Sequence, residues 1–205
     1  MELSIGQPII ASNKGVISLL IKDINGNICI VTSSTVVSEN NFVYPLHGDR
    51  DGDKDVPIGT PIYRELSSTQ DIVIIKVTTD VSSINTLNFT SITSLKDLQY
   101  QHYEVILHKD EQIHKYPVTF HSIYNSESLK DHIAVNISRE LAYRLAEMET
   151  KLGILLVCLN SNGIYTPVGH YRFLDTFGGN LAIFTRYDIN KYLWQDYTPV
   201  KIKTE

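Results

Sequence analysis

The sequence predicts an all-β protein of two packed antiparallel β-barrels, with one inserted helix and a C-terminal helix. Three observations carry that expectation. Short β-branched, apolar runs recur between clusters of turn residues, as strands of sandwiches and barrels do. A hairpin signature with an Asn-Gly turn occurs twice. One stretch in the second half changes to helical spacing.

The first hairpin joins Gly15-Val16-Ile17-Ser18-Leu19-Leu20-Ile21 to Ile28-Cys29-Ile30-Val31-Thr32 through Asp23-Ile24-Asn25-Gly26-Asn27. Asn-Gly readily supplies the positive φ angles of a tight hairpin turn. Further strands are expected at 42–44, 62–64, 71–77, 103–107, 116–120 and 133–135, each rich in Val, Ile, Tyr or Phe. Ile154 to Leu159, then Asn160-Ser161-Asn162-Gly163, then Ile164 to Gly169 repeats the strand, turn, strand order, and each copy carries a cysteine. The repetition divides the chain into an N-terminal barrel at 1–80, a crossover at 81–98 and a C-terminal barrel at 99–205, in one compact unit. The crossover is rich in Ser, Thr and Asn without a strong period. A helix over about 138–150 is indicated by Ser138 as N-cap, Glu140 in the first turn and Leu141, Leu145 and Met148 on one face. A second helix is expected over about 187–194, with Ile189 and Leu193 aligned.

Composition narrows the classes of function. The 205 residues carry a net charge of −5, with 18 Lys and Arg scattered along the chain, so no basic face for nucleic acid is expected. The apolar runs fall well short of the roughly 20 residues of a membrane span. Glu2 stands where a signal peptide would have Lys or Arg, and Pro8 interrupts the following apolar stretch; a cytoplasmic location is expected. Cys29 and Cys158, each among branched aliphatics, read as buried, reduced thiols.

The order of segments then becomes specific. The hairpin runs into Ile30-Val31-Thr32-Ser33-Ser34-Thr35-Val36-Val37, followed by Asp71-Ile72-Val73-Ile74-Ile75-Lys76-Val77 and later by Gly153, Asn162-Gly163 and Val168-Gly169. Over roughly residues 4 to 195 this resembles the trypsin-like (chymotrypsin-fold) serine proteases. The resemblance implies a general base at the end of the first strand pair, an orienting acid opening a later strand, and a nucleophile just before a glycine. Those positions fall on Thr35, Asp71 and Leu152. Threonine takes no proton at neutral pH and leucine cannot attack a carbonyl, so the resemblance implies a degenerate triad and no catalytic residue. It also implies that Arg172 lies near the acid. Asp71 is therefore expected to be buried and paired with Arg172, or hydrogen-bonded to Thr35 and nearby backbone; the plain alternative is a surface strand start.

Other constellations point to no chemistry. The seven histidines show no His-x-His or His-Glu-x-x-His spacing, and no Cys-x-x-Cys occurs; neither a metal nor a cofactor is expected. Asp49 to Asp55 spaces carboxylates like a calcium loop, but its glycine is misplaced and Arg50 and Lys54 offset the charge. Tyr124, Tyr143, Tyr165, Tyr187 and Tyr197 are candidates for a protein interface or for ordinary strand positions. The expectation is a non-catalytic pseudoprotease that binds a protein partner as adaptor, regulatory subunit or assembly component. Two readings stay open beside it: an active hydrolase with unconventional residues, such as a His47–Ser34 pair, and a structural β-module of a phage- or virus-type assembly.

Overall fold

The computed structural model describes residues 1–38, 41–46, 56–176 and 180–201. The chain begins with β1 (Glu2–Ser4), β2 (Pro8–Ile10), β3 (Lys14–Val16), β4 (Leu19–Asp23), β5 (Ile28–Thr32) and β6 (Tyr44–Pro45). It continues through β7 (Gly59–Leu66), β8 (Asp71–Val77) and β9 (Ser83–Asn85). Then come β10 (His102–Lys109), β11 (Gln112–Tyr124), β12 (His132–Asn136) and helix α1 (Arg139–Glu147). The last strands are β13 (Leu155–Leu159), β14 (Tyr165–Asp175), β15 (Leu181–Arg186) and β16 (Tyr197–Pro199). No described helix is long and apolar enough to cross a membrane.

Six strands of the C-terminal half close into a barrel in the order β10-β11-β12-β15-β14-β13. Alternation decides which residues fill it. Tyr103, Val105 and Leu107 of β10 point inward with Leu156, Cys158, Ile133, Val135 and Phe184. Ile106, Leu155 and Val157 point the other way, into the apolar cluster shared with the N-terminal strands. A strand apolar on both faces reads as an unbroken hydrophobic run, as at Leu155–Leu159.

The N-terminal half also follows the strand arrangement that the sequence led us to expect. A five-stranded sheet, β16-β4-β5-β8-β7, lies beside a three-stranded sheet, β3-β2-β6, with an isolated bridge between Val43 and Gly59. Together the pairings run in a circuit: β2 to β3, which continues through Ile17 and Ser18 into β4, then β5, β8 and β7, and through Val43 to β6 and back to β2. Short strands keep these ladders brief: β2, β3 and β6 span two or three residues, and Pro8 and Pro45 bring no backbone donor. The crossover is tied down by the parallel pairing of β9 with β1 and by Phe89, 1% exposed. The terminal β16 returns to the N-terminal sheet beside β4.

The repeated hairpin is repeated in its hydrogen bonds. Asp23 Oδ1 accepts from the N–H groups of Asn25 and Asn27, and Asn160 Oδ1 accepts from those of Asn162 and Ile164. Gly26 and Gly163 take φ of 80° and 74°, where a Cβ would be strained.

Helix α1 starts where its cap requires. Ser138 Oγ accepts the Leu141 N–H at 3.1 Å, Glu140 pairs with Arg144, and Leu141 and Leu145 are buried. It ends at Glu147 because Met148 adopts an extended conformation. The helix expected over 187–194 is replaced by two short 3-10 turns, Asp188–Asn190 and Leu193–Asp196. Asn190 is the reason: its Oδ1 accepts the Leu193 N–H and so competes with a continuous helical ladder. The Trp194 indole donates to the Tyr187 carbonyl at 2.6 Å.

Candidate functional site

Three elements bring the candidate residues to the junction of the halves. Asp71 opens β8, opposite Leu66 in register. Thr35 lies in the turn after β5, where the Val36 N–H donates to the Ser33 carbonyl. Arg172 lies on β14 at a register shift between Tyr171 and Phe173; such a bulge redirects a side chain.

Asp71 is 1% exposed and its carboxylate is fully engaged. Oδ2 accepts from Ser33 Oγ at 2.5 Å and lies 2.5 Å from Arg172 Nη1. Oδ1 accepts from Ser34 Oγ at 2.6 Å, with the Thr35 hydroxyl at 3.4 Å. Burial pushes the carboxyl pKa up, but His170, Arg172 and the hydroxyls of Ser33 and Ser34 outweigh it and hold it below the usual carboxylate range. Asp71 is thus not a surface strand start.

His170 completes the junction. It is fully buried, and its Nε2–H donates to the Asp71 main-chain carbonyl at 2.6 Å, leaving Nδ1 to accept from the Tyr187 hydroxyl at 3.0 Å. Both nitrogens are satisfied in the neutral ring, and burial pushes its pKa down to about 4. The imidazole meets the Asp71 carboxylate only at 4.0 Å, leaving Arg172 as the close cation.

Leu152 sits in the turn between α1 and β13. Its carbonyl accepts the Val16 N–H at 2.8 Å, and its side chain packs on the apolar cluster containing Val36 and Val37. Gly15 marks where this turn meets the Thr35 turn: a Cβ there would meet the Val36 side chain and stand 2.9 Å from the Leu152 oxygen. Gly153 has φ of 93°, and a Cβ on it would come 2.6 Å from Thr32 Oγ1 and 2.7 Å from the Val16 oxygen.

The arrangement supplies a stabilised carboxylate, a neutral buried imidazole and an accessible threonine hydroxyl. Among the described residues no three His, Cys, Asp or Glu side chains gather to hold a metal ion. His47 and the acidic stretch 49–55 lie outside the described residues. Ser34 is fully buried. Sequence reasoning missed Ser33 and Ser34 as the partners of Asp71, although two serines closing an apolar strand hint at a buried acceptor. It also missed His170, which precedes Arg172 by one strand period and so offered a signal.

The architecture is that of the trypsin-like serine proteases. The alpha-lytic protease homolog N4 superposes with a TM-score of 0.63 at 12% identity, covering 97% of this chain and 99% of its own. A Nocardiopsis protease gives 0.62 at 10% identity over 97% and 99%, and Thermobifida fusca protease A gives 0.62 at 11% over 98% and 100%. No protein-family model and no curated protein sequence matches the chain.

Proposed function

We propose that the chain is a catalytically silent form of the trypsin-like fold that binds a protein partner, as adaptor, regulatory subunit or assembly component, in the cytoplasm. The observation that carries this reading is the engagement of Asp71. In a working triad the acid orients a histidine that in turn activates the nucleophile. Here the carboxylate is spent on Ser33, Ser34 and Arg172, and the exposed side chain beside it is Thr35. Leu152, before Gly153, brings no nucleophilic atom.

Partner binding draws support from the exposed aromatics, since tyrosine buries area at low entropic cost. Tyr143 and Tyr192 are 64% and 72% exposed, whereas Tyr165 and Tyr187 belong to the core. The decisive experiment treats the purified protein with a serine-reactive fluorophosphonate and an unstructured polypeptide substrate. Neither labelling nor cleavage is expected. Labelling abolished by Ser34→Ala would establish the hydrolase reading instead. Light scattering on the purified protein, followed by affinity capture from its native host, separates partner binding from self-association as a structural β-module.

A further inference from the structure

A second site opens away from Asp71, at the mouth of the C-terminal barrel. The barrel end between the β10–β11 hairpin and the last turn of α1 holds a cavity of about 260 Å³. Its apolar wall is Leu107, Tyr116 and Met148. Leu107 and Tyr116 belong to the inward-facing apolar set, so the cavity continues the core to the surface. Ligand cavities favour barrel mouths and commonly span about 300–1,000 Å³, so this one suits a molecule smaller than a typical cofactor.

The rim carries charges of both signs. Arg144 lies over the Tyr116 ring, with Cζ 5.7 Å from its centroid. Its Nε and Nη2 donate to Glu140, leaving Nη1 without a partner among the described residues. Among the described residues Lys109 makes a single ion pair, with Asp110 at 3.9 Å, and its side chain is 61% exposed. Glu147, one turn from Arg144, makes no ion pair among the described residues. Two cations and one carboxylate around an apolar pocket match a zwitterion with a hydrophobic tail.

We infer that this mouth binds a free α-amino acid with a large apolar side chain. The side chain enters between Tyr116 and Met148, where thioether and ring both favour aromatic contact. The carboxylate meets Arg144 Nη1 and Lys109, and the ammonium meets Glu147, each through a charge-assisted hydrogen bond. This site is independent of the Asp71 junction, and its occupancy does not depend on whether the protein is catalytic.

The test is an amide-resolved NMR titration of the intact chain with L-phenylalanine and L-leucine. Saturable shifts confined to residues 107–109, 116 and 144–148 are expected. L-phenylalaninamide, which lacks the carboxylate, and N-acetyl-L-phenylalanine, which lacks the ammonium, should each bind about tenfold more weakly. Lys109→Gln and Glu147→Gln should each weaken L-phenylalanine about fivefold. Both are surface changes, so unchanged thermal midpoints verify the fold. No saturable shift at millimolar ligand, shifts centred elsewhere, or equal binding of either blocked analogue overturns the proposal. Equal binding of the acetylated compound would make the site one for simple apolar carboxylates.

Discussion

Arg172 reaches Asp71 across the junction of the two halves, Nη1 to Oδ2 at 2.5 Å, from a bulge that leaves it unpaired in the β14–β15 register. The acid belongs to the N-terminal sheet and the cation to the C-terminal barrel, so their pairing helps fix how the halves meet. Removing one member of a buried pair leaves an uncompensated charge, which costs about 3–5 kcal/mol. Arg172→Met is therefore expected to lower stability by about that amount in urea unfolding. Asp71→Asn combined with Arg172→Met should be milder than the sum of the two single changes, because the stranded charge is gone.

The same carboxylate sets an acid limit. Its folded pKa lies below the usual value of 3.8, so its contribution is complete above that value and is lost as pH falls through the depressed folded one. The wild type should lose stability steeply below about pH 4, and Asp71→Asn should flatten that slope. Thermal midpoints measured between pH 5 and 2 check this (about three pH units spanning the carboxylate range).

His170 acts in a higher window. Its pKa falls from 6.5 to about 4 on burial, so the unfolded chain takes up the proton first. Stability should decline as pH drops from 6.5 towards 4, by about 3 kcal/mol in total. His170→Gln keeps a donor for the Asp71 carbonyl and an acceptor for Tyr187 without a titrating ring. Denaturant midpoints of that variant should fall less steeply across this interval, the remaining slope belonging to His132 and His108, whose pKa values burial also lowers; an unchanged slope would assign the whole effect to those groups.

Much of this architecture was legible because local chemistry and tertiary structure agree. Gly26 and Gly163 take the positive φ that the two hairpin turns require, and Ser138 meets its helix where the cap belongs. The Asp71–Arg172 proximity was legible only through segment order, since no spacing rule links two residues so far apart. The partners Ser33 and Ser34 were hidden because a serine in a turn reads as solvated until its hydroxyl is seen to face a buried acid. The aligned Ile189 and Leu193 misled because propensity ignores the Asn190 side chain, which restarts the turn. Period-2 patterns located the long strands of the N-terminal half but neither the three-residue β2 nor the break between β3 and β4, which are too short to show a period.

Gly153 tests the close approach of the candidate nucleophile turn. Its φ of 93° and the nearness of Thr32 Oγ1 and the Val16 oxygen leave no room for a methyl group. Gly153→Ala should cost about 2 kcal/mol or more, through backbone strain and a steric clash together. Gly26→Ala, where nothing lies within 4 Å of the added carbon, bears the strain alone and should cost about 1 kcal/mol.

The two thiols report whether both halves open together. Cys29 packs in the cluster shared by the halves and Cys158 inside the C-terminal barrel, both unpaired and at most 2% exposed. Burial pushes the Cys29 thiol up to about 11 and raises Cys158 as well, so neither is a thiolate near neutrality. A thiol-specific disulfide reagent should leave the native protein unmodified and label both cysteines in denaturant. Because the apolar cluster shared by the halves and the β16–β4 pairing join them, both should become reactive over the same urea range in wild type and over one lower range in Arg172→Met, read by peptide mass spectrometry. Two separate transitions in that variant would show that the ion pair, rather than the apolar interface, enforces cooperativity.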